Sequence, residues 1–330
     1  MHHLLVFNIV DQIRLLGWPG FWALLRNGLV LGSLYALIAL GYTMVYGILK
    51  LLNFAHGDVY MVGAFIGYGV LSFFGGALAP SMHFVPLLIL MFAVAMAGSG
   101  ALGVAIERFA YRPLRNAPRI APLISALGVA FFLESSAQLL TNSGRFLYNA
   151  YYLGGENGQF GPLLTKVFTI DGQPVSVVQV LIVVTAVALM AALVLLVYRT
   201  KLGKAMRATA FDREAASMMG IDTDRVISMT FFIGSMLAGA AGVMYGLYVG
   251  DTYFFVGFLF GLKAFTAAVV GGIGSIPGAM LGGVLVGVIE AYATGYAGGQ
   301  WQEVVVFGIL ITFLLIRPTG LLGSHAIQKV

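Results

Sequence analysis

The chain has no cysteine among its 330 residues. That excludes a disulfide framework, a thiol nucleophile and any thiolate metal site. Charge is nearly as scarce: 9% of residues are Asp, Glu, Lys or Arg, against about 25% in ordinary soluble domains. With 60% of residues hydrophobic, a chain so poor in charge is an integral membrane protein. Alternating ten-residue strand patterns are missing too, which argues against a β-barrel and leaves helices as the spanning elements. The net charge of +5 is no footprint of nucleic acid, because the basic residues cluster at loops, as the positive-inside bias predicts. No G-x-x-x-x-G-K-[ST] phosphate loop occurs, so the chain cannot cradle ATP in that way. The start, with mixed charges and no small-residue cleavage site behind an apolar core, reads as no cleaved signal peptide.

What is present is a series of apolar stretches near the ~20 residues that cross a bilayer as a helix. The expected fold is all-α, a polytopic transmembrane bundle of eight or nine spans in one domain covering residues 1–330. The spans are read at about 21–49, 59–74, 84–106, 121–140, 176–198, 226–249 and 304–316, with an interrupted apolar stretch over 262–295. Residues 1–19 are mildly amphipathic and read either as an interfacial segment or as a solvated start. Gly28 and Gly32, and again Gly242, Gly246 and Gly250, recur at the spacing that lets helix backbones approach closely. The loop after the third span carries Arg108, Arg112, Arg115 and Arg119 and is placed in the cytoplasm. The longest polar segment, 141–175, balances Arg145 and Lys166 against Glu156 and Asp171 and is placed outside. Arg317 brings the C-terminus back to the cytoplasmic side.

Polar residues within this apolar background are few enough to take singly. Asn53-Phe54-Ala55-His56-Gly57-Asp58 stands between two spans, where such groups are costly unless they face protein, water or a solute. It reads either as a broken helix lining a solute path or as a polar turn, with Asn53 or Asp58 capping the next helix. No metal site forms around His56, for lack of a second ligand at suitable spacing. Glu134 and Gln138 share one helical face and are expected to bond to a neighbouring helix. Gly271-Gly272-Ile273-Gly274-Ser275-Ile276-Pro277-Gly278 interrupts an apolar stretch, either as a broken helix of a binding region or as a turn between two spans. Lys263 and Glu290 flank it and are candidates for an ion pair.

The stretch 199–225 is a charged island. It holds Arg199, Lys201, Lys204, Arg207, Arg213 and Arg225 together with Asp212, Glu214, Asp222 and Asp224. Residues 204–219 lack Gly and Pro and are rich in helix formers, so one helix is expected there. Gly220 would end it, and Asp222 or Thr223 would cap the next. Ala215, Ala216 and Gly220 give a flat small face ringed by charge, suited to a groove on another protein; an ordinary solvated loop held by ion pairs is the other reading.

Glu214-Ala215-Ala216-Ser217-Met218-Met219-Gly220 resembles the cytoplasmic coupling motif of ABC importer permeases. The resemblance extends over nearly the whole chain. Gly32-Ser33-Leu34-Tyr35-Ala36-Leu37, Gly41-Tyr42-Thr43-Met44-Val45-Tyr46-Gly47, Asn53-Phe54-Ala55-His56-Gly57, Glu107-Arg108 with Tyr111-Arg112-Pro113, Gly220-Ile221-Asp222-Thr223-Asp224-Arg225-Val226, and Lys263-Ala264-Phe265-Thr266 with the Gly271–Gly278 run are similar to the H-type permease of branched-chain amino-acid ABC importers.

The resemblance implies a subunit of the bacterial inner membrane, paired with a second homologous permease, two cytoplasmic ATPase subunits and a periplasmic solute-binding protein. ATP and magnesium would sit on the ATPases, and this chain would carry no cofactor and no catalytic residue. It further implies that Arg213, Glu214, Ala215, Ala216 and Gly220 couple the chain to the ATPases. Tyr42, Asn53, His56, Gly272 and Gly274 are the candidates for the solute path. The solute stays open between branched-chain amino acids, urea or short amides, and aromatic acids. Two other classes compete on the residues alone: a membrane-embedded enzyme using His56 and Asp58, and a passive channel for a small neutral solute.

Overall fold

A computed structural model of the chain describes residues 9–77, 84–115, 117, 118, 120–148, 167–170 and 173–323. Arg119 and the external-loop charges Glu156, Lys166 and Asp171 lie outside the described residues, as do residues 1–8 of the amphipathic start. Helices α1 (Ile9–Leu49), α2 (His56–Ala77), α3 (Phe84–Ile106) and α4 (Ile120–Leu140) form the first half. Next come α5 (Val177–Arg199), the short α6 (Lys201–Phe211) and α7 (Arg213–Met218), and α8 (Thr223–Val249). Last are α9 (Val256–Gly271), α10 (Ile276–Ala297) and α11 (Gln302–Ile316). Strand content among the described residues is minor. β1 (Phe146–Leu147) pairs antiparallel with β4 (Asp251–Thr252), and β2 (Val167–Ile170) with β3 (Gln173–Ser176).

Among the described residues eight helical segments are long and apolar enough to cross a membrane, the last of them α11 together with the 3₁₀ turn Gly299–Trp301 before it, while α9, with 16 residues, is shorter. At 1.5 Å per residue α9 measures roughly 24 Å, less than the ~30 Å hydrocarbon core. It nonetheless forms a full hairpin with α10, so the interrupted stretch over 262–295 is two helices and a tight turn. Gly272 and Gly274 make that turn at φ 107° and 95°, a region that costs a residue with a Cβ. Ser275 caps α10, accepting the Gly278 N–H at 3.2 Å. The carbonyls left open at the end of α9 are taken up by the C-terminal segment: Leu321 N–H donates to Val270 and Leu322 N–H to Gly271, both at 2.9 Å. The break is satisfied by protein, as apolar surroundings require.

The core is built where helix backbones touch. Gly28 and Gly32 of α1 meet Gly287 and Val288 of α10 with no side chain between, so the spacing seen in the sequence marks the α1–α10 contact. The second glycine series splits three ways. Gly242 rests on the backbone of Tyr60 and Ala64 in α2, Gly246 lies under the Tyr148 ring, and Gly250 ends α8 in the left-handed region at φ 88°. Outward from this core, α4, α5 and α11 expose Phe131, Phe132, Val184, Leu315 and other large apolar side chains, the surface a bilayer covers.

One end of the bundle carries the basic loops. The loop after α3 begins as a π-turn at Glu107–Tyr111 and a 3₁₀ turn at Arg112–Leu114. Arg112 and Arg115 from that loop, and Arg213 from α7 at 3.5 Å, all pair with Asp224. Arg115 also pairs with buried Glu107, whose other oxygen accepts from Ser228 at 2.7 Å. The two basic loops therefore share one face, as their charge predicts. At the other end Arg145 pairs with Asp251 at 3.0 Å across the β1–β4 contact.

Candidate functional site

The charged island forms a peg on the basic face. The single helix expected over 204–219 is instead two, because Asp212 leaves the helix at φ −153° and accepts the Ala215 N–H at 3.0 Å. A short acidic side chain offers the backbone this alternative, and here it starts a new helix. Gly220, at φ 82°, ends α7 and is exposed. Asp222 caps α8 by accepting the Arg225 N–H at 3.0 Å. Arg213, Glu214 and Ala215 are exposed, while Ala216 is buried against the bundle. The outward apolar area comes from Phe211, Met218 and Met219, each more than 80% exposed. Sequence reading picked the small residues of this motif and passed over its large ones, although two adjacent methionines beside a glycine were a visible signal.

The polar turn between α1 and α2 is buried rather than placed at a surface. Asn53, His56 and Asp58 are each 3% exposed or less. The Tyr111 hydroxyl reaches both the Leu52 carbonyl and Asn53 Oδ1 at 3.1 Å, which pins the turn to the π-turn after α3. The His56 ring stands edge-on to Tyr42 at 4.9 Å between centroids and lies directly over Gly41. A Cβ at Gly41 would stand well inside contact distance of the Nε2 of that ring. Gly41→Val should therefore push α2 out of place and cost about 2 kcal/mol as overpacking of a filled site. The lowered thermal unfolding midpoint of the purified protein reads this out, and an unchanged midpoint would contradict the contact.

Tyr42, Asn53 and His56 thus come together. Gly272 and Gly274 do not join them. Gly272 is buried beneath Thr319 and Gly323. Gly274 opens on a cleft with about 90 Å³ of room for solvent-sized groups, together with Thr43, Met44, Arg207 and Thr230. That cleft lies between the inner end of α1 and α6, so the α9–α10 turn neighbours the peg.

A second, open cleft with about 40 Å³ of room for solvent-sized groups lies between α1, α2, α4 and α9. Tyr42, Phe54 and Asp58 line one side, and Phe131 and Glu134 of α4 the other. Gly257 and Gly261 form its floor, where α9 rests on the backbone of Gly57. Glu134 therefore faces this cleft rather than serving as a simple helix–helix bond, and Gln138 bonds to Ser143 in the following turn at 3.3 Å. Asp58 Oδ1 accepts no hydrogen bond. The expected Lys263–Glu290 pair is present at 2.9 Å, and Lys263 pairs equally with Glu303 at 2.9 Å. Among the described residues no group of acidic and histidine side chains could hold a metal ion.

A polytopic helical bundle with an exposed peg on its basic face, and with clefts that reach buried polar groups such as Thr43 and Asp58, has the architecture of a membrane permease. The family model for the branched-chain amino acid transport system permease component matches residues 24–315, and the chain belongs to that family. It is 45% identical over 307 residues to the high-affinity branched-chain amino acid transport system permease protein BraD of Pseudomonas aeruginosa, covering 93% of this chain and 97% of that protein. It is 42% identical over 312 residues to the permease protein LivH of Salmonella typhimurium and 41% to LivH of Escherichia coli, covering 92% of this chain and 96% of each relative. No solved structure matches the chain.

Proposed function

We propose that this chain is the permease subunit of an ATP-driven importer of branched-chain amino acids in a bacterial inner membrane. A second homologous permease completes the path, two cytoplasmic ATPase subunits hydrolyse ATP with magnesium, and a periplasmic binding protein delivers the solute. The observation that carries the solute class is the similarity to BraD and LivH over nearly the full length of both partners. The observation that supports coupling is the peg, whose exposed Phe211, Met218 and Met219 stand on the face that gathers the basic loops. An amphipathic helix with apolar anchors seats in a groove of a partner. ATP binds the closed ATPase dimer better than the open one, and that difference biases the permease between inward- and outward-open states.

The test is the double variant Met218→Glu/Met219→Glu. Charged side chains in a desolvated anchor position should cost about 2 kcal/mol or more of docking, roughly 30-fold in affinity. Membrane insertion should stay normal while the ATPase no longer purifies with the permease and ATP-dependent leucine uptake is lost. Gly220→Val, strained at a positive φ, should act in the same direction. Normal uptake by the double variant would remove the docking role, and a wild-type chain that purifies without an ATPase would favour a channel.

A further inference from the structure

The cleft between α2, α4 and α9 joins two features that belong together only if a particular kind of solute enters it. Its walls are apolar: Phe54, Leu127, Phe131, Phe258 and Leu262. Its floor has no side chains, since Gly257 and Gly261 leave room directly against Gly57. Into this lining project two carboxylates from different helices, Asp58 and Glu134, with no lysine or arginine among the lining residues. Asp58 is 3% exposed, and its Oδ1, facing Gly257, lacks a hydrogen-bond donor. Glu134 lines the same cleft from the facing helix α4. A buried carboxylate oxygen without a donor is unfavourable, and a second carboxylate lining the same cleft adds repulsion. A cationic donor entering the cleft relieves both.

We propose that Asp58 and Glu134 form an ammonium-binding subsite in the permease, taking the α-ammonium group of an aliphatic amino acid. The side chain of that amino acid lies at the open mouth of the cleft, against the exposed Phe131 and Phe258. Charge-assisted hydrogen bonds to the two carboxylates fix its orientation, and Tyr42, on the same cleft, offers a hydroxyl to the solute carboxylate. The subsite deepens the importer reading and rests on it. It also gives the permease its own selection step: a solute of the right shape without an ammonium group leaves the two carboxylates unrelieved, and such mismatches are rejected strongly.

The experiment uses the complete importer in proteoliposomes with its binding protein and ATP, and compares wild type, Glu134→Gln, Glu134→Asp and Asp58→Asn. The readout is labelled leucine taken up per ATP hydrolysed. Glu134 is partly exposed, so its amide variant should assemble even if Asp58→Asn does not. Loss of one charge-assisted contact should lower leucine uptake per ATP by about tenfold in Glu134→Gln, with Glu134→Asp recovering most of it. Uptake per ATP at the wild-type level in Glu134→Gln overturns the subsite, as does an equal loss in Glu134→Asp. A wild-type importer that hydrolyses ATP and accumulates leucine, paired with an unaffected Glu134→Gln, sinks the subsite alone. A wild type that accumulates no amino acid sinks the importer reading and the subsite with it.

Discussion

Lys263→Met should destabilise the bundle by about 3–5 kcal/mol, the range for removing one partner of a buried ion pair. Lys263 and Glu290 are 3% and 1% exposed in their side chains and meet at 2.9 Å. Without the lysine, Glu290 keeps the amide of Gln302 as a donor but loses the cation it shares with Glu303. The Glu303 leg contributes less, because that side chain is 43% exposed and solvent screens it. The expected result is a sharply lowered thermal unfolding midpoint and low abundance in the membrane. Exchanging the two charges, Lys263→Glu with Glu290→Lys, should recover abundance that each single change loses. Failure of the exchange to recover any would show that the site depends on more than the pair.

Gly287→Leu carries the second large effect. A Cβ there would sit on the backbone nitrogen and Cα of Gly32. Overpacking costs about 1–3 kcal/mol where neighbouring side chains can shift, but backbone cannot shift without moving its whole helix, so the upper end of that range or more is expected. The chain has no cysteine, so thiols introduced at the exposed positions Leu29 and Leu285 would be the only labelling sites. Spin labels placed there should report a wider α1–α10 separation in Gly287→Leu than in the parent. An unchanged separation with unchanged stability would contradict the close packing of these two helices.

Both effects reach back to features that could be seen in the sequence, though not with their partners. The Gly28–Gly32 spacing announced a tight helix contact but could not say that Gly287 lay opposite. Lys263 and Glu290 were matched correctly because ionisable groups are so rare in the apolar stretches that few pairings existed. Glu303 escaped notice because it stands at the start of a span, where an acid needs no explanation. The helix expected over 204–219 was interrupted because Asp212 can cap as readily as it can continue, and helix propensity does not decide between those outcomes. The site residues split in the same manner. Tyr42, Asn53 and His56 lie near one another in the chain and stayed together in space. Gly272 and Gly274 share their chemistry of interruption but sit under the C-terminal segment and beside the peg.

The sequence by itself determined the membrane class, the positions of most spans, the common face of the basic loops and the place of the peg. Those are local or compositional properties: an apolar run, a charge cluster or a glycine acts through its own stretch of chain and the solvent around it. Only the tertiary structure decided which polar group meets which. It placed Tyr111 on Asn53, Asp224 among three arginines, and Glu134 across a cleft from Asp58. These meetings join residues 11 to 112 positions apart, and a polar group is satisfied by whatever the packing of whole helices brings within hydrogen-bonding reach, a quantity that no single stretch of sequence contains.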